Sequence, residues 1–353
     1  MRADGLQALV RSEELSVMGL TEVLSALPRI LSIYKRIERF LHSDRPDCLV
    51  LIDAPDFHFR VARMASKKGI PVYYYISPQV WAWRKRRVHF LKKHVRKILC
   101  IIPFEKDFYL RHGIDVEFVG HPLMQHLDSE SLNGIEPVKD TVGIMPGSRQ
   151  KEIRALLPAF AEAAERISQA QPQTAFRLFQ SAAIEEAELR QHWPDSLPVE
   201  IVPFSQRYAR MKESELIITA SGTATLECAL LGVPAVVAYR VSWLSYAVAR
   251  LLVDVPFISM PNLILNRRVF PEFLQNQATG PNLAQQGINW LRHPEALAAV
   301  REELARIRSM LGQTKASWRS AEIILEDIQT VADGTKAACL PGSGTAARGG
   351  CRD

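Results

Sequence analysis

One stretch decides the fold: Leu216-Ile217-Ile218-Thr219-Ala220-Ser221-Gly222-Thr223-Ala224-Thr225-Leu226-Glu227. Its apolar start is typical of a short buried strand. The small residues Ser221-Gly222-Thr223 predict a turn, and the helical run that follows, Ala224–Leu231, is ended by Gly232. The next apolar run, Ala235–Tyr239, predicts a second strand. The stretch therefore predicts a βαβ unit with a glycine turn at the start of its helix.

The glycine turn is a candidate phosphate-binding site. A helix N-terminus offers unpaired backbone N–H groups and partial positive charge, and Ser221 and Thr223 add hydroxyl donors on either side of Gly222. Glu227 lies one turn into the predicted helix, where a carboxylate is placed to hold a ribose diol. The alternative is that Ser221 only caps the helix and that Glu227 complements the helix dipole. The stretch alone favours neither interpretation.

Composition narrows the class of protein. The chain has 353 residues, enough for two domains, and 47% of them are hydrophobic. No apolar run is long enough to span a bilayer. The five cysteines are scattered and no pair has metal-ligand spacing, which indicates reduced thiols and a cytoplasmic protein. The formal net charge of +6 favours anionic partners: a nucleotide, a phospholipid surface or nucleic acid.

The first half of the chain alternates apolar strands with helical segments, which predicts a parallel α/β sheet. The continuous apolar run Cys48–Ile52 is typical of a strand buried on both faces, and it ends at Asp53. Ligands bind at the carboxyl ends of such strands, so Asp53 is a candidate general base. Its alternative role is the N-cap of the next helix. We do not expect Asp53 and Asp56 to hold a metal ion, because no further carboxylate or histidine joins them locally.

Aromatic and basic residues cluster in Trp81-Ala82-Trp83-Arg84-Lys85-Arg86-Arg87. Two tryptophans beside four cations are typical of single-stranded nucleic-acid binding. They are equally typical of a membrane interface, with rings at headgroup level and cations on anionic lipid. The third interpretation is a partly buried aromatic pair next to a solvated basic helix, predicted over Arg84–Lys97. A second apolar segment, Arg240–Val253, predicts either a core helix or a contact with acyl chains or the membrane.

The second half begins with a polar segment, Asp128–Asp140, which predicts an interdomain linker. The strand Thr141–Met145 follows and runs into the turn Pro146-Gly147-Ser148-Arg149. This is a second strand–turn–helix start, and its arginine is suited to bind a phosphate through two parallel hydrogen bonds. A second α/β domain therefore begins near Thr141, with both glycine turns expected at one cleft.

Eight motifs in order resemble those of a known family, the bacterial lipid-A-disaccharide synthases. The motifs are Ser16-Val17-Met18-Gly19, Ile52-Asp53-Ala54-Pro55-Asp56-Phe57, Tyr75-Ile76-Ser77-Pro78 with Val80-Trp81-Ala82-Trp83, Pro103-Phe104-Glu105, Gly120-His121-Pro122, Met145-Pro146-Gly147-Ser148-Arg149, Ala220-Ser221-Gly222-Thr223-Ala224 with Leu226-Glu227-Cys228, and Ser259-Met260-Pro261-Asn262-Leu263. The resemblance runs from about Arg2 to about Gln329. Each motif alone is weak, but eight in this order are specific.

The resemblance implies an inverting glycosyltransferase. It transfers 2,3-diacylglucosamine from its UDP derivative to 2,3-diacylglucosamine 1-phosphate, and it releases UDP. Inversion needs a base, for which Asp53 is the candidate, and departure of UDP needs positive charge, which Arg149 and the helix start at Ser221–Thr223 are placed to supply. Glu227 and Asn262 are the other predicted nucleotide contacts. We expect no metal or other cofactor. The expected partners are both lipid substrates, an anionic membrane surface and a homodimer, without nucleic acid.

The domain organisation follows from the same resemblance. It implies two Rossmann-like domains facing a cleft (GT-B type): an acceptor-binding domain over 1–133 and a UDP-sugar-binding domain over 141–330. The last helices are expected to pack back on the first domain or on a partner subunit, and 334–353 to be a disordered tail. The family's opening strand and its Ala-Gly-Glu-x-Ser-Gly-Asp turn have no counterpart, so we expect an N-terminally shortened first domain. The alternative function is that of a catalytically inactive nucleotide-binding relative. The expected location is the cytoplasm, peripherally at the inner membrane.

Overall fold

Strands and helices alternate along the chain and form two sheets. The fold is described from a computed structural model over residues 5, 7–10, 20–83, 86–127, 130–253, 255–312 and 315–338. Two compact units are present. One comprises 1–75, 94–98 and 317–353, and the other comprises 76–93 and 99–316. Each of the two predicted domains contains one of the sheets, and their exact boundaries stay a prediction.

The first sheet has four strands in the order β1-β2-β3-β4. β1 and β2 pair in parallel, with Leu49 opposite Val72 and Ile52 opposite Tyr75. The strands are β1 Leu49–Ile52, β2 Val72–Tyr75, β3 Lys97–Cys100 and β4 Val116–Phe118. The helices of this part of the chain are α1 Leu20–Ser43, α2 Pro55–Lys67, α3 Arg87–His94, α4 Pro103–Arg111 and α5 Leu123–Leu127.

The second sheet has six strands in the order β10-β9-β8-β5-β6-β7, and its neighbouring strands pair in parallel. Its strands are β5 Val138–Met145, β6 Ala175–Phe179, β7 Glu200–Val202, β8 Ser214–Ala220, β9 Ala235–Tyr239 and β10 Glu272–Leu274. The helices are α6 Gln150–Ala170, α7 Glu186–Arg190, α8 Arg207–Lys212, α9 Thr223–Leu230, α10 Trp243–Leu252, α11 Met260–Leu265, α12 Gly280–Arg292, α13 Pro294–Met310 and α14 Ala316–Ala338. The predicted βαβ unit is confirmed as β8-α9-β9.

A hydrophobic core surrounds β8. All seven residues of this strand are buried, and α6 packs its apolar face, including Leu157 and Phe160, against the sheet. Burial of each such side chain contributes about 1.5–3 kcal/mol. The carboxyl ends of β5 and β8 are thereby fixed side by side, with Met145 opposite Thr219.

The prediction that Cys48–Ile52 is a strand buried on both faces is wrong. β1 is the edge strand of its sheet, and Val50 and Ile52 are 40% and 41% exposed. Leu51 is buried at 2%. A continuous apolar run predicts a strand, but the pairing of neighbouring strands determines how many of its faces are covered.

Three predicted boundaries also differ. β5 starts at Val138, whose N–H donates to the Glu213 carbonyl at 2.8 Å, so the end of the predicted linker belongs to the sheet. The basic helix α3 is shorter than Arg84–Lys97, and Lys97 starts β3. α14 continues through Gly334 to Ala338, past the predicted start of the tail. One glycine disfavours a helix by only about 1 kcal/mol relative to alanine, and the nearby Ala332, Ala337 and Ala338 favour the helix.

The last helix is anchored in the first unit by one carboxylate. Asp327 of α14 accepts hydrogen bonds from the Tyr73 hydroxyl at 2.7 Å and from Arg96 Nη2 at 3.0 Å. The bonds from Arg96 lower the pKa of Asp327. Among the described helices, none is sufficiently long and apolar to cross a membrane.

Candidate functional site

The turn after β8 leads directly into α9. Gly222 is the N-cap residue of this helix, and no side chain caps it. Ser221 instead donates its hydroxyl to the Ile258 carbonyl at 3.2 Å, so its predicted alternative role as a helix cap is wrong. Gly222 and Thr223 are exposed. The turn therefore leaves the start of α9 exposed, and the backbone N–H groups of a helix start suit an anionic ligand.

The turn after β5 has the same order of strand, glycine and helix. Gly147 has φ 112°, a left-handed conformation that favours glycine. The Glu152 carboxylate folds back over it and accepts from the Ser148 N–H at 3.1 Å and from Arg149 Nη1 at 2.7 Å. Arg149 is 76% exposed. Because β5 and β8 are paired neighbours, this turn and the Gly222 turn lie at the same edge of the sheet.

Glu227 lies beyond the first turn of α9 and is buried, so its alternative role as a dipole-complementing residue is wrong. Its Oε1 accepts from Arg207 Nη2 at 3.1 Å and from the Tyr208 hydroxyl at 3.0 Å. The Arg207 guanidinium stacks on the Phe204 ring at 3.9 Å. Sequence reasoning missed these partners. Their signal was an arginine with the aromatic residues Phe204 and Tyr208 near it, a few residues after β7.

Asn262 is fully buried and organises a loop. Its Oδ1 accepts from the Val269 and Phe270 N–H groups, and its Nδ2 donates to the Phe270 carbonyl and to Glu272 Oε1, all at 2.8 Å. These bonds use the two donors and both lone pairs of the amide. A role of Asn262 toward a nucleotide stays a prediction, and such a role would act through the loop.

Asp53 follows β1 with its side chain exposed. Asp53 and Ala54 both have left-handed backbones, with φ 51° and 44°, and the N-cap of α2 is Ala54. The alternative role of Asp53 as that N-cap is therefore wrong. The Asp53 carbonyl accepts from the Tyr74 hydroxyl at 2.8 Å and from His58 Nδ1 at 2.7 Å. Burial lowers the pKa of His58 below its ordinary value.

The tryptophan cluster is partly buried. Trp81 donates its indole N–H to Glu105 Oε1 at 2.9 Å and packs edge-on against Phe104, with ring centroids 4.8 Å apart. Trp83 is half-buried, and Arg87 lies 5.9 Å from its ring centre. Arg86 is exposed, while Arg84 and Lys85 lie outside the described residues. The cluster's membrane contact stays a prediction.

Two buried ionisable groups lie near the ends of β3 and β4. Glu105 is 1% exposed, and burial raises its pKa to about 7. His121 accepts the Leu123 N–H on Nδ1 at 3.2 Å, and burial lowers its pKa to about 4. Sequence reasoning singled out both motifs without a chemical role for either residue. Across the described ranges, no group of three or more histidine, cysteine, aspartate or glutamate side chains is arranged to hold a metal ion.

Comparison with known families and curated proteins gives one consistent answer. The profile of the family described as lipid-A-disaccharide synthetase matches residues 1–326. A lipid-A-disaccharide synthase of Nitrosococcus oceani is 40% identical over 320 residues, which cover 88% of this chain and 82% of that protein. A second, from Myxococcus xanthus, is 38% identical and covers 92% of this chain and 87% of its own length.

Comparison with solved structures identifies the fold. A putative UDP-N-acetylglucosamine 2-epimerase from Listeria monocytogenes superimposes with a TM-score of 0.59. The match covers 89% of this chain and 82% of the epimerase at 13% sequence identity. At this identity the likeness concerns the fold alone, and it agrees with the arrangement of strands and helices described above.

Proposed function

We propose, since this chain belongs to the lipid-A-disaccharide synthetase family, that it is the glycosyltransferase that forms the lipid A disaccharide. It transfers 2,3-diacylglucosamine from its UDP derivative to 2,3-diacylglucosamine 1-phosphate. The product is the β-1,6-linked disaccharide 1-phosphate, and UDP leaves. The structural observation that carries this proposal is the pair of glycine turns at the ends of β5 and β8.

These two turns support binding of the UDP diphosphate. Departure of UDP builds negative charge on its phosphate oxygens, and preorganised donors stabilise that charge. The exposed Arg149 fork and the backbone N–H groups at Gly222 and Thr223 are such donors. In this proposal they hold the diphosphate from two neighbouring strand ends.

The ribose is assigned to Glu227. Arg207 and Tyr208 both hold Oε1 of its carboxylate, which fixes the orientation of a side chain that is itself buried. A carboxylate held in this way loses little rotamer freedom when it accepts a diol. Asn262 supports the site indirectly, because its amide and the Ile258 N–H both donate to Glu272, and the Ile258 carbonyl accepts from Ser221.

Asp53 is the proposed base that deprotonates the acceptor hydroxyl. Its exposed carboxylate projects from a backbone held by Tyr74 and His58. Inversion requires such a base, and a strand end is a position where side chains commonly reach a substrate. The acceptor is thereby assigned to the predicted domain 1–133 and the donor to the predicted domain 141–330.

The test is turnover of a labelled UDP-2,3-diacylglucosamine with 2,3-diacylglucosamine 1-phosphate, followed by separation of the lipid product. We expect a labelled disaccharide phosphate and an equal amount of UDP. Tight UDP-sugar binding without turnover would instead identify an inactive relative. Both relatives described above are named as synthases, so the inactive alternative has no support from them.

We also propose that the enzyme works at an anionic membrane surface. The predicted contacts are Trp81, Trp83 and Arg84–Arg87, and the two exposed ends of α10 are further ones. Trp243 at the start of that helix is 80% exposed, and Leu252 is 53% exposed. Binding to anionic vesicles should weaken with salt, since each basic residue contributes about 1 kcal/mol near such a surface. Trp243→Ser should weaken it as well. Equal binding to neutral vesicles at every salt concentration would remove the proposal.

A homodimer is the proposed assembly. α14 exposes Trp318 and Leu325 at 68% and 60%, and a second copy of the chain would cover them. Sedimentation of the wild type and of Leu325→Ser tests this. We expect a dimer that the substitution weakens, and a wild-type monomer at all concentrations would exclude it.

A further inference from the structure

The turn after β2 begins with a strained residue. Ile76 has φ 59°, a conformation that β-branched residues rarely adopt. Its N–H donates to the Leu99 carbonyl at 3.2 Å. Such strain persists where surrounding contacts fix the backbone, and it is common at sites that position a substrate. The segment 76–83 therefore needs an external support.

That support is α4. The Tyr109 hydroxyl donates to the Pro78 carbonyl at 2.8 Å. Phe104 packs edge-on against the Trp81 ring, and Glu105 accepts the Trp81 indole N–H at 2.9 Å. Three side chains of one helix thus hold the turn at Pro78 and at Trp81.

Glu105 is the polar centre of this contact. Its Oε2 and the buried Ser77 hydroxyl have no well-formed hydrogen bond within the described part of the chain. The nearby Lys106 is paired with Glu117 at 3.0 Å. Burial and, to a lesser extent, the Glu105 charge raise the pKa of the Cys100 thiol. Burial raises the pKa of Glu105 to about 7, although Trp81 and Ser77 favour the charged form.

We propose that Glu105 is a positioning residue that holds Trp81, and with it the segment 76–83, in the conformation that the acceptor side of the reaction requires. This inference rests on the proposed function. Glu105 acts through the turn and does not touch the reacting atoms. No mechanistic role assigned above uses this carboxyl.

The experiment compares Glu105→Gln with Glu105→Leu. Glutamine keeps an oxygen that accepts the Trp81 N–H, whereas leucine leaves that buried donor unpaired. We expect Glu105→Leu to raise the acceptor KM about tenfold, to leave UDP affinity unchanged, and to speed hydrogen exchange across 76–83. Glu105→Gln should keep the acceptor KM and the hydrogen exchange across 76–83 at their wild-type values. Glu117→Gln, which alters an exposed ion pair in the same part of the sheet, is the matched control.

The unfolding temperature as a function of pH is a second measurement, because a side chain that packs without ionising does not change its pH dependence. A carboxyl whose pKa is raised on folding stabilises the protein below its ordinary value of 4.5, and that stabilisation is lost as pH rises through about 7. The unfolding temperature of the wild type should therefore fall across this window relative to that of Glu105→Gln.

The outcomes separate this inference from the proposed function. A wild type without turnover refutes the proposed function, and hydrogen exchange across 76–83 then still tests the support by Glu105. An active wild type whose acceptor KM is the same in Glu105→Leu refutes the positioning role. Equal pH profiles for the wild type and Glu105→Gln also overturn it. If Glu105→Leu fails to fold, Trp81→Phe tests the same bond, because it removes the donor and keeps a ring.

Discussion

The strand ends of β1 and β5 solve the same geometric problem with different residues. After β5 the left-handed position is Gly147, and a Cβ there would lie 2.6 Å from Glu152 Oε2. After β1 the left-handed positions are Asp53 and Ala54, which carry side chains. A left-handed conformation costs such residues about 1–2 kcal/mol each. At β5 the chain thus avoids the strain, and at β1 it keeps it.

This difference separates two ways of building a ligand site. At β5 the backbone of Gly147 lies close to the Glu152 side chain, so a side chain at position 147 would clash with it. At β1 a particular side chain, the Asp53 carboxylate, must project from the turn, and hydrogen bonds from Tyr74 and His58 to its carbonyl fix the strained backbone. Strain that is kept at a strand end is a reason to assign function to the residue that carries it.

The largest effect should come from the side chain that β1 presents. Asp53→Asn removes the proposed base and keeps its shape, and we expect turnover to fall by about a hundredfold to ten-thousandfold. UDP affinity should stay the same. Asp56→Asn, an exposed carboxylate on the same segment, is the control. Near-normal turnover in Asp53→Asn would show that the strained turn after β1 does not serve catalysis through Asp53.

Replacing Gly147, after β5, should destabilise the protein more than replacing a glycine whose surroundings are open. In Gly147→Ala the added methyl group displaces the Glu152 carboxylate from the Ser148 N–H, and the alanine is held in a left-handed backbone conformation. We expect the free energy of unfolding to fall by about 2–3 kcal/mol. Gly69→Ala is the matched control. Gly69 has φ 72°, and no described atom lies within 4 Å of an added Cβ, so only about 1 kcal/mol is expected there. Equal losses in urea unfolding would show that the close approach of Glu152 is unimportant.

Much of this architecture follows from the sequence. The β8-α9-β9 unit was predictable because a buried strand, a glycine turn and a helix each have a local signature. Asp53 was predictable as a strand-end residue for the same reason. The edge position of β1 was not, because an apolar run does not record which strands pair with it.

The site residues depend on contacts that local sequence patterns do not predict. The prediction that Asn262 lies in a loop is wrong, because the residue belongs to α11. The sequence also does not show that the N–H groups of Val269 and Phe270 return to its amide. The burial of Glu105 likewise depends on Trp81, which lies 24 residues away in the chain. Such contacts arise from tertiary packing, and no periodicity encodes them.

A smaller effect on turnover is expected at Arg149, because in the proposed site the starts of α6 and α9 share the charge of the UDP diphosphate. Arg149→Lys keeps the positive charge and loses the planar fork, so UDP affinity should fall roughly tenfold, with a matching loss of turnover. Arg166→Lys, which alters an ion pair with Glu162 on the same helix, is the control for surface effects. Unchanged UDP affinity, measured by calorimetry, would make Arg149 a structural partner of Glu152 alone.

The smallest effect tests the strain at β1 directly. Ala54→Gly relieves a left-handed alanine, and the gain is partly offset by the greater freedom of glycine in the unfolded chain, so stability should rise by at most about 1 kcal/mol. Turnover should fall a few-fold, because the looser turn no longer fixes the Asp53 carboxylate. Ala65→Gly in the buried face of α2 is the opposite control, since glycine destabilises a helix interior by about 1 kcal/mol. If Ala54→Gly lost as much stability as Ala65→Gly, the turn after β1 would hold no strain, and the contrast with Gly147 would disappear.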